Sequence, residues 1–283
     1  MPPSRIWLIT NARSGSNSAD TLDTLRTRFG EAGIEVARTI AVPDDPLPTP
    51  ADLEGAGIAH VAIFAGDGTI NAAVTGLYGW KGAIIILPGG TKNLLSLRLH
   101  GETPTELIIE RINTGASRTV RPLVARCDGG DALAGVLVGP GTAWASVREA
   151  LRDRAIAEMA QGASEAVAES TGGAMVHMRE PARGRTEGYP LIEMTPSHRG
   201  ILVEGFHADG ASELLQHGLA LLKMQFRDGP HTRLGLYDEL RIESGDAQPI
   251  KALIDGEQVE LPRSAKFAVA PCEVDLLATD HGF

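Results

Sequence analysis

The first 120 positions alternate between short apolar runs and stretches in which apolar residues recur every three or four positions. Unbroken apolar runs of this length are typical of strands buried on both faces. The three clearest lie at 5–10 (RIWLIT), 61–64 (VAIF) and 83–87 (AIIIL). Leu22, Leu25 and Phe29 lie at helical spacing between the first two runs. The alternation predicts an α/β domain with a parallel sheet.

Glycine and proline mark the expected limits of these elements. Gly30 and Gly33 are expected to end the first helix, and 34–42 is expected to form the second strand. Four prolines between 43 and 50 predict an irregular loop. The later helices are expected from Ile70, over 94–99 and from Thr103.

The pattern changes near Arg121, so residues 1–121 are predicted as one domain and 122–283 as another. The last residues of the chain could also belong to the first domain. The second part is mainly antiparallel strands, with helices expected at 144–170 and 214–224. Strands are expected at 122–125, 132–138, 174–178, 190–195, 201–206, 240–243, 250–254, 259–261, 266–270 and 274–277. The arginine-rich segment 179–188 fits either a solvated hairpin loop or an interaction patch.

Composition narrows the class of protein. The chain has 283 residues, 43% hydrophobic and 22% charged, with a formal net charge of -10. This negative charge argues against a nucleic-acid partner and against binding to anionic lipid that is mainly electrostatic. Cys127 and Cys272 are too few and too distant for a disulfide framework or a zinc site. No signal peptide or membrane-spanning run is recognised, so we expect a cytoplasmic protein, with peripheral attachment to the inner face of the membrane left open.

Polar, glycine-containing loops follow three of the predicted strands. They are NARSGSN at 11–17, AGDGT at 65–69 and PGGTKN at 88–93. Any one of them fits a tight turn as well as a phosphate site, because short glycine-rich motifs match often by chance. Ligands of open α/β sheets bind beyond the carboxyl ends of the strands, so three such loops together predict a ligand site at that edge. Asp67 is the carboxylate in the middle loop.

A second acidic turn, Asp255-Gly256-Glu257, lies between two predicted strands near the end of the chain. Asp-Gly is a frequent hairpin signal, so the turn alone favours a hairpin over a site. It becomes a candidate partner of Asp67 only when the motifs are considered together.

The ordered set ITNARSG, AGDGTIN, PGGTKN and IDGE resembles the diacylglycerol kinase catalytic family, which includes sphingosine, ceramide and bacterial lipid kinases. The resemblance implies an NAD kinase/diacylglycerol kinase-like α/β domain followed by an antiparallel β-sandwich that is expected to bind the lipid. It also implies ATP and Mg²⁺ as cofactors and a lipid hydroxyl, such as that of diacylglycerol, as the phosphate acceptor at a membrane surface. The sequence does not determine the oligomeric state, and a homodimer is one of the alternatives.

The resemblance also assigns residues. Glu257 would be the general base, and Asp67 would position Mg²⁺ and the γ-phosphate. The nucleotide would be contacted by Asn11, Ser14, Gly15, Thr39, Gly66, Gly68, Thr69, Thr91 and Asn93. Thr39 is included because it is expected at the end of the second strand, where family members carry a nucleotide-contacting threonine.

Several positions depart from the family pattern. Ala65 replaces a glycine, Ala72 replaces a common acid, and His198-Arg199-Gly200 stands where many bacterial members bind a structural Mg²⁺. A cationic turn is a poor ligand for a hard cation, so that structural site is predicted to be absent. The departures keep two alternatives open: a nucleotide-binding regulator with little or no turnover, and a kinase of a soluble substrate such as NAD.

Overall fold

Two compact units make up the chain in the computed structural model. One unit contains Met1–Leu123 and Pro271–Phe283, and the other contains Val124–Ala270. The structure describes residues 2–11, 19–90, 93–143, 173–207 and 231–280. The first unit is an α/β unit and the second is built from antiparallel strands, so the predicted fold class is confirmed.

The first unit is organised around a six-stranded sheet in the order β2-β1-β3-β4-β18-β5. Its strands are β1 (Arg5–Asn11), β2 (Glu35–Val42), β3 (His60–Ala65), β4 (Ala83–Pro88), β5 (Arg118–Val120) and β18 (Asp275–Ala278). Neighbours pair in parallel except β5, which pairs antiparallel with β18. The centres of β1, β3 and β4 are buried, as their unbroken apolar runs predict. β5 has no counterpart among the strands predicted from the sequence.

Five helices connect or flank these strands. They are α1 (Ala19–Glu31), α2 (Pro50–Gly55), α3 (Asp67–Gly76), α4 (Leu94–His100) and α5 (Thr105–Asn113). The expectation that the proline-rich loop contains no regular structure through Pro50 is wrong, because Pro50 begins α2. Proline suits the first helical position, and Thr49 and Asp52 form a reciprocal capping box there.

A buried histidine joins the end of α4 to the end of β18. The His100 side chain is 1% exposed, and its Nδ1 lies 2.9 Å from Thr279 Oγ1. Burial lowers the pKa of His100 to about 4, although a hydrogen bond with the Ile86 backbone and the charge of Asp280 act in the opposite direction. The imidazole is therefore neutral in the folded protein at neutral pH.

Acid should destabilise the first unit through His100. The unfolded chain takes up the proton below about pH 6.5 and the folded chain only near pH 4, so folding stability falls as pH falls through this window. Between pH 7 and pH 5 this residue should lower the free energy of unfolding by about 2 kcal/mol. Urea denaturation of wild type and His100→Gln at both pH values measures the effect. An equal loss of stability in both proteins would contradict it.

The second unit is a β-sandwich of two six-stranded sheets, in the orders β10-β9-β14-β17-β6-β7 and β13-β12-β11-β8-β15-β16. The strands are β6 (Leu123–Cys127), β7 (Gly130–Ala132), β8 (Val136–Val138), β9 (Val176–Glu180), β10 (Ala182–Arg183), β11 (Leu191–Ser197), β12 (Gly200–Phe206), β13 (His231–Tyr237), β14 (Glu239–Ser244), β15 (Ile250–Ile254), β16 (Glu257–Leu261) and β17 (Ser264–Pro271). Side chains from both sheets form one apolar core. β13 has no counterpart among the strands predicted from the sequence.

The expected strand 132–138 is wrong as a single element. The chain forms β7, leaves the first sheet of the sandwich at 133–135, and enters the other sheet as β8. The backbone N–H groups of 133–135 bond to the Asp255 carboxylate instead of a neighbouring strand. The arginine-rich segment forms a hairpin in which Ala182–Arg183 pairs back on β9, with exposed side chains.

The helices predicted at 144–170 and 214–224 lie outside the described residues. Among the residues that the structure describes, no helix has the length and apolar character needed to cross a membrane.

Candidate functional site

The carboxyl ends of β1, β3 and β4 lie at one edge of the first sheet, because the three strands are parallel neighbours. Asn11 ends β1, Ala65 ends β3 and Pro88 ends β4. The three polar loops recognised in the sequence therefore start from adjacent positions along this edge. This is where an open α/β sheet binds its ligands.

The middle loop is shorter than predicted, because α3 begins at Asp67 and not at Ile70. Gly66 is the N-cap residue in an extended conformation, without a side-chain cap. Asp67 is the first helical residue, where the helix dipole stabilises a carboxylate. Gly66 to Thr69 are half-buried, so the first turn of α3 is partly accessible to a ligand. A helix N-terminus capped by glycine offers backbone N–H groups to an anion.

The structure brings two of the predicted nucleotide residues into direct contact. The side-chain amide of Asn11 donates a 2.8 Å hydrogen bond to Thr69 Oγ1. This bond fixes the end of β1 against the first turn of α3. The end of the first strand and the middle loop are therefore connected and are not independent turns.

The third loop packs directly against the first turn of α3 through its two glycines. A Cβ at Gly90 would lie 2.6 Å from Gly66 Cα, and a Cβ at Gly89 would lie 2.5 Å from the Ala65 nitrogen. Only glycine permits such close backbone approach. Ala65 itself keeps a negative φ, so its replacement of the usual family glycine costs no left-handed backbone strain.

Asn93 closes the third loop. Its Oδ1 accepts from Gly90 N at 2.7 Å, and its Nδ2 donates to Gly90 O at 2.8 Å. Asn93 has a left-handed backbone conformation, with φ of 50°, which asparagine tolerates better than most residues. Its side chain therefore holds the loop, a role that the sequence analysis did not recognise.

Thr39 is not at the end of the second strand, as was expected, because β2 continues to Val42. Its hydroxyl instead accepts a 3.2 Å hydrogen bond from Arg26 on α1. The contact of Thr39 with the nucleotide was predicted from a position at the end of the strand, which Thr39 does not occupy. That contact stays an untested prediction. Ser14, Gly15 and Thr91 lie outside the described residues.

Glu257 belongs to the second unit, where it is the exposed first residue of β16. It pairs with Ile254 across the turn Asp255-Gly256. Directly opposite residues of an antiparallel pair lie on the same face, so Glu257 shares the face of Ile254, which packs in the sandwich core. The role of Glu257 as a base remains a prediction. His198 and Arg199 are exposed in the turn between β11 and β12.

The first unit is similar to a known domain family. Residues 5–125 match the profile of the diacylglycerol kinase catalytic domain. This match confirms the resemblance to the diacylglycerol kinase catalytic family. The matched segment contains all three loops of the sheet edge, so the similarity includes the site described above.

Solved structures extend the similarity to the whole fold. One is a diacylglycerol kinase from Bacillus anthracis str. Sterne, with 15% identity, coverage of 97% of both chains and a TM-score of 0.57. Another is a candidate diacylglycerol kinase from the same organism, with 14% identity, coverage of 99% of both chains and a TM-score of 0.58. At this identity the likeness shows a shared fold. No curated protein matched the chain.

Among the described residues, no three His, Cys, Asp or Glu side chains cluster as a protein metal cage. Mg²⁺ in kinases is usually held by one or two carboxylates together with substrate phosphates and water. A single carboxylate at a helix N-terminus that faces an anion site suits that mode of binding. Asp67 is a carboxylate on the first turn of α3, and its role as a ligand of Mg²⁺ stays a prediction.

Proposed function

We propose that this protein is an ATP-dependent lipid kinase that transfers the γ-phosphate to a lipid hydroxyl such as that of diacylglycerol. The main support is the first turn of α3, with its glycine cap, in contact with Asn11 and packed against Gly90, within a segment that matches the diacylglycerol kinase catalytic domain. Phosphoryl transfer depends mainly on positioning and charge neutralisation, and this arrangement suits both.

In this proposal the backbone N–H groups at Gly66, Gly68 and Thr69 bind the nucleotide phosphates. The close packing of Gly66 and Gly90 leaves backbone, without side chains, facing the ligand. The helix dipole adds a partial positive charge at the same point. Asn11 keeps the Thr69 hydroxyl oriented through its hydrogen bond.

Two carboxylates complete the proposed chemistry. Asp67 would hold Mg²⁺, which neutralises charge on the phosphates when it is bound. Glu257 would accept the proton of the lipid hydroxyl as that oxygen attacks the γ-phosphate. Both groups are acids of the family motifs, AGDGT and IDGE.

An assay with γ-labelled ATP and Mg²⁺ tests the proposal. The acceptors are diacylglycerol, ceramide and sphingosine in mixed micelles, with NAD in detergent-free buffer as a separate arm. Label in an organic-phase product supports a lipid kinase. Label on NAD alone would assign the protein to soluble-substrate kinases. Normal ATP binding without any transfer would favour the regulator, which Ala72 and the His198–Gly200 turn motivate.

Gly90→Ala should weaken ATP binding by about 10- to 100-fold, because overpacking of this kind costs about 1–3 kcal/mol. The added methyl group would press on Gly66 Cα and move the third loop away from the first turn of α3. Titration of a fluorescent ATP analogue measures the affinity.

Gly30→Ala is the matched control for that substitution. Gly30 lies in α1, where an added Cβ would meet nothing within 4 Å. Alanine there should leave ATP affinity unchanged and stabilise the helix slightly. Equal ATP affinity in Gly90→Ala and wild type would contradict the proposed role of the loop contact.

A further inference from the structure

Asp255 is a buried carboxylate that the proposed chemistry does not use. Its side chain is 8% exposed, although it lies in a hairpin turn, where charged side chains usually face water. Burial of a charge is costly unless the charge is paired or hydrogen-bonded. Its partners therefore indicate what it does.

Three consecutive backbone N–H groups donate to the Asp255 carboxylate. Leu133 N lies 2.8 Å from Oδ2, while Ala134 N and Gly135 N lie 2.8 Å and 2.7 Å from Oδ1. Asp255 N also donates to Gly135 O at 2.9 Å. Four hydrogen bonds thus join one residue of the hairpin to a segment about 120 positions earlier. The three bonds to the carboxylate are charge-assisted and therefore stronger than neutral ones.

The backbone conformation of Asp255 also suits a tight turn. Its φ of 49° is left-handed, and Gly256 follows with φ of 96°. Two positive φ values are characteristic of the tight hairpin turn that suits the twist of antiparallel strands. The carboxylate therefore holds the turn, while the turn itself fixes the pairing of Ile254 with Glu257.

The partner segment 133–135 is itself anchored at both ends. It connects β7, in one sheet of the sandwich, to β8, in the other sheet, and β8 pairs with β15, the strand that leads into the turn. Asp255 therefore links the turn to the segment that leads into β8, and β8 in turn pairs with β15. Rocking of the hairpin tip, and of Glu257 next to it, would require breaking these bonds.

We propose that Asp255 is a positioning residue that fixes the Glu257 carboxylate by binding the three N–H groups of 133–135. The inference rests on the proposed function, in which Glu257 accepts the proton of the lipid hydroxyl. Both Asp255 oxygens accept from backbone N–H groups, which suits a positioning role. Its loss should therefore affect turnover and not nucleotide binding.

The test uses Asp255→Asn and Asp255→Gly in the full chain. Asparagine and glycine both tolerate the left-handed backbone, so each variant removes the carboxylate without adding backbone strain. With diacylglycerol in mixed micelles, we expect kcat to fall by about 100-fold, since a misplacement of about 1 Å can cost that much. KM for ATP should stay within about twofold of wild type, because the nucleotide residues lie on other elements.

Hydrogen exchange supplies a second measurement that does not depend on turnover. In Asp255→Gly the amides of 133–135 should exchange about tenfold faster or more, since each loses its hydrogen-bond acceptor. Asp255→Asn keeps one side-chain oxygen as an acceptor, so at least one of these amides should exchange faster. Unchanged exchange in Asp255→Gly would overturn the proposed contact, and Asp255→Asn keeps a readout available if the glycine variant fails to fold.

Asp246→Asn is the matched control. Asp246 is also a turn aspartate of the sandwich, but its carboxylate bonds only nearby groups, Gln248 N and Ser244 Oγ, both at 2.8 Å. Its kcat should equal that of wild type. A wild-type kcat in Asp255→Asn, with an active wild type, would overturn the positioning role. An inactive wild type that binds ATP would instead count against the proposed function.

Discussion

Asp67→Asn should lower kcat for lipid phosphorylation by about 10³-fold, because it removes the carboxylate proposed to hold Mg²⁺ against the phosphates. The substitution keeps the shape of the side chain at the first position of α3. The folded protein should lose less than about 1 kcal/mol of stability, which is the usual contribution of a carboxylate to the helix dipole. Steady-state kinetics with a Mg²⁺ titration and a thermal melt separate the two effects.

Glu106→Gln is the control for Asp67→Asn. Glu106 is also an acid in the first turn of a helix, α5, and it is exposed. The control should show the same small change in stability and no change in kcat. A variant Asp67→Asn with more than a tenth of the wild-type kcat at saturating Mg²⁺ would remove Asp67 from the proposed mechanism.

Glu257→Gln should lower kcat by about 10²- to 10⁴-fold, the usual contribution of a general base. Glutamine keeps the side-chain length at the start of β16 but cannot accept the hydroxyl proton. Because Glu257 is exposed and contributes little to packing, we expect the fold and the affinity for ATP to stay unchanged. Pre-steady-state kinetics measure the rate of phosphate transfer, and nucleotide titration measures the affinity for ATP.

Glu260→Gln gives the matched control on the same strand. Glu260 is exposed like Glu257, but an odd spacing of three residues places it on the opposite face of β16. Its kcat should equal that of wild type. If both variants lose activity equally, the effect belongs to the strand and not to the Glu257 carboxylate, and the base must be sought elsewhere.

Local patterns in the sequence were sufficient to predict β1 to β4 and the loops at the carboxyl ends of β1, β3 and β4. Unbroken apolar runs predicted β1, β3 and β4, because parallel strands covered on both faces need apolar residues at every position. The polar and glycine residues after each run predicted the three loops, because such residues favour turns. Asp67 could be selected because it is the carboxylate of the middle loop.

Contacts between distant segments could not be predicted in this way. The Asp-Gly pair at 255–256 signalled a hairpin, but no local pattern shows that the Asp255 carboxylate binds the N–H groups of 133–135. The same interaction explains the wrong prediction of 132–138 as one strand. The packing of Gly90 on Gly66 is likewise a tertiary contact, so glycine content alone did not reveal it.

The boundary errors arose where a residue has two structural uses. Pro50 was read as a residue that prevents regular structure, yet proline at the first position begins a helix well. Asp67 to Thr69 were read as loop residues, although an acid followed by small residues also suits the first turn of a helix.

Phosphate transfer from ATP to a lipid hydroxyl can be measured by following ³²P from γ-labelled ATP into chloroform-extractable product with diacylglycerol micelles and Mg²⁺. We expect a labelled phospholipid with wild type, and about 10³-fold less with Asp67→Asn under the same conditions. Binding of ATP by wild type without labelled lipid from diacylglycerol, ceramide or sphingosine would contradict the proposed transfer.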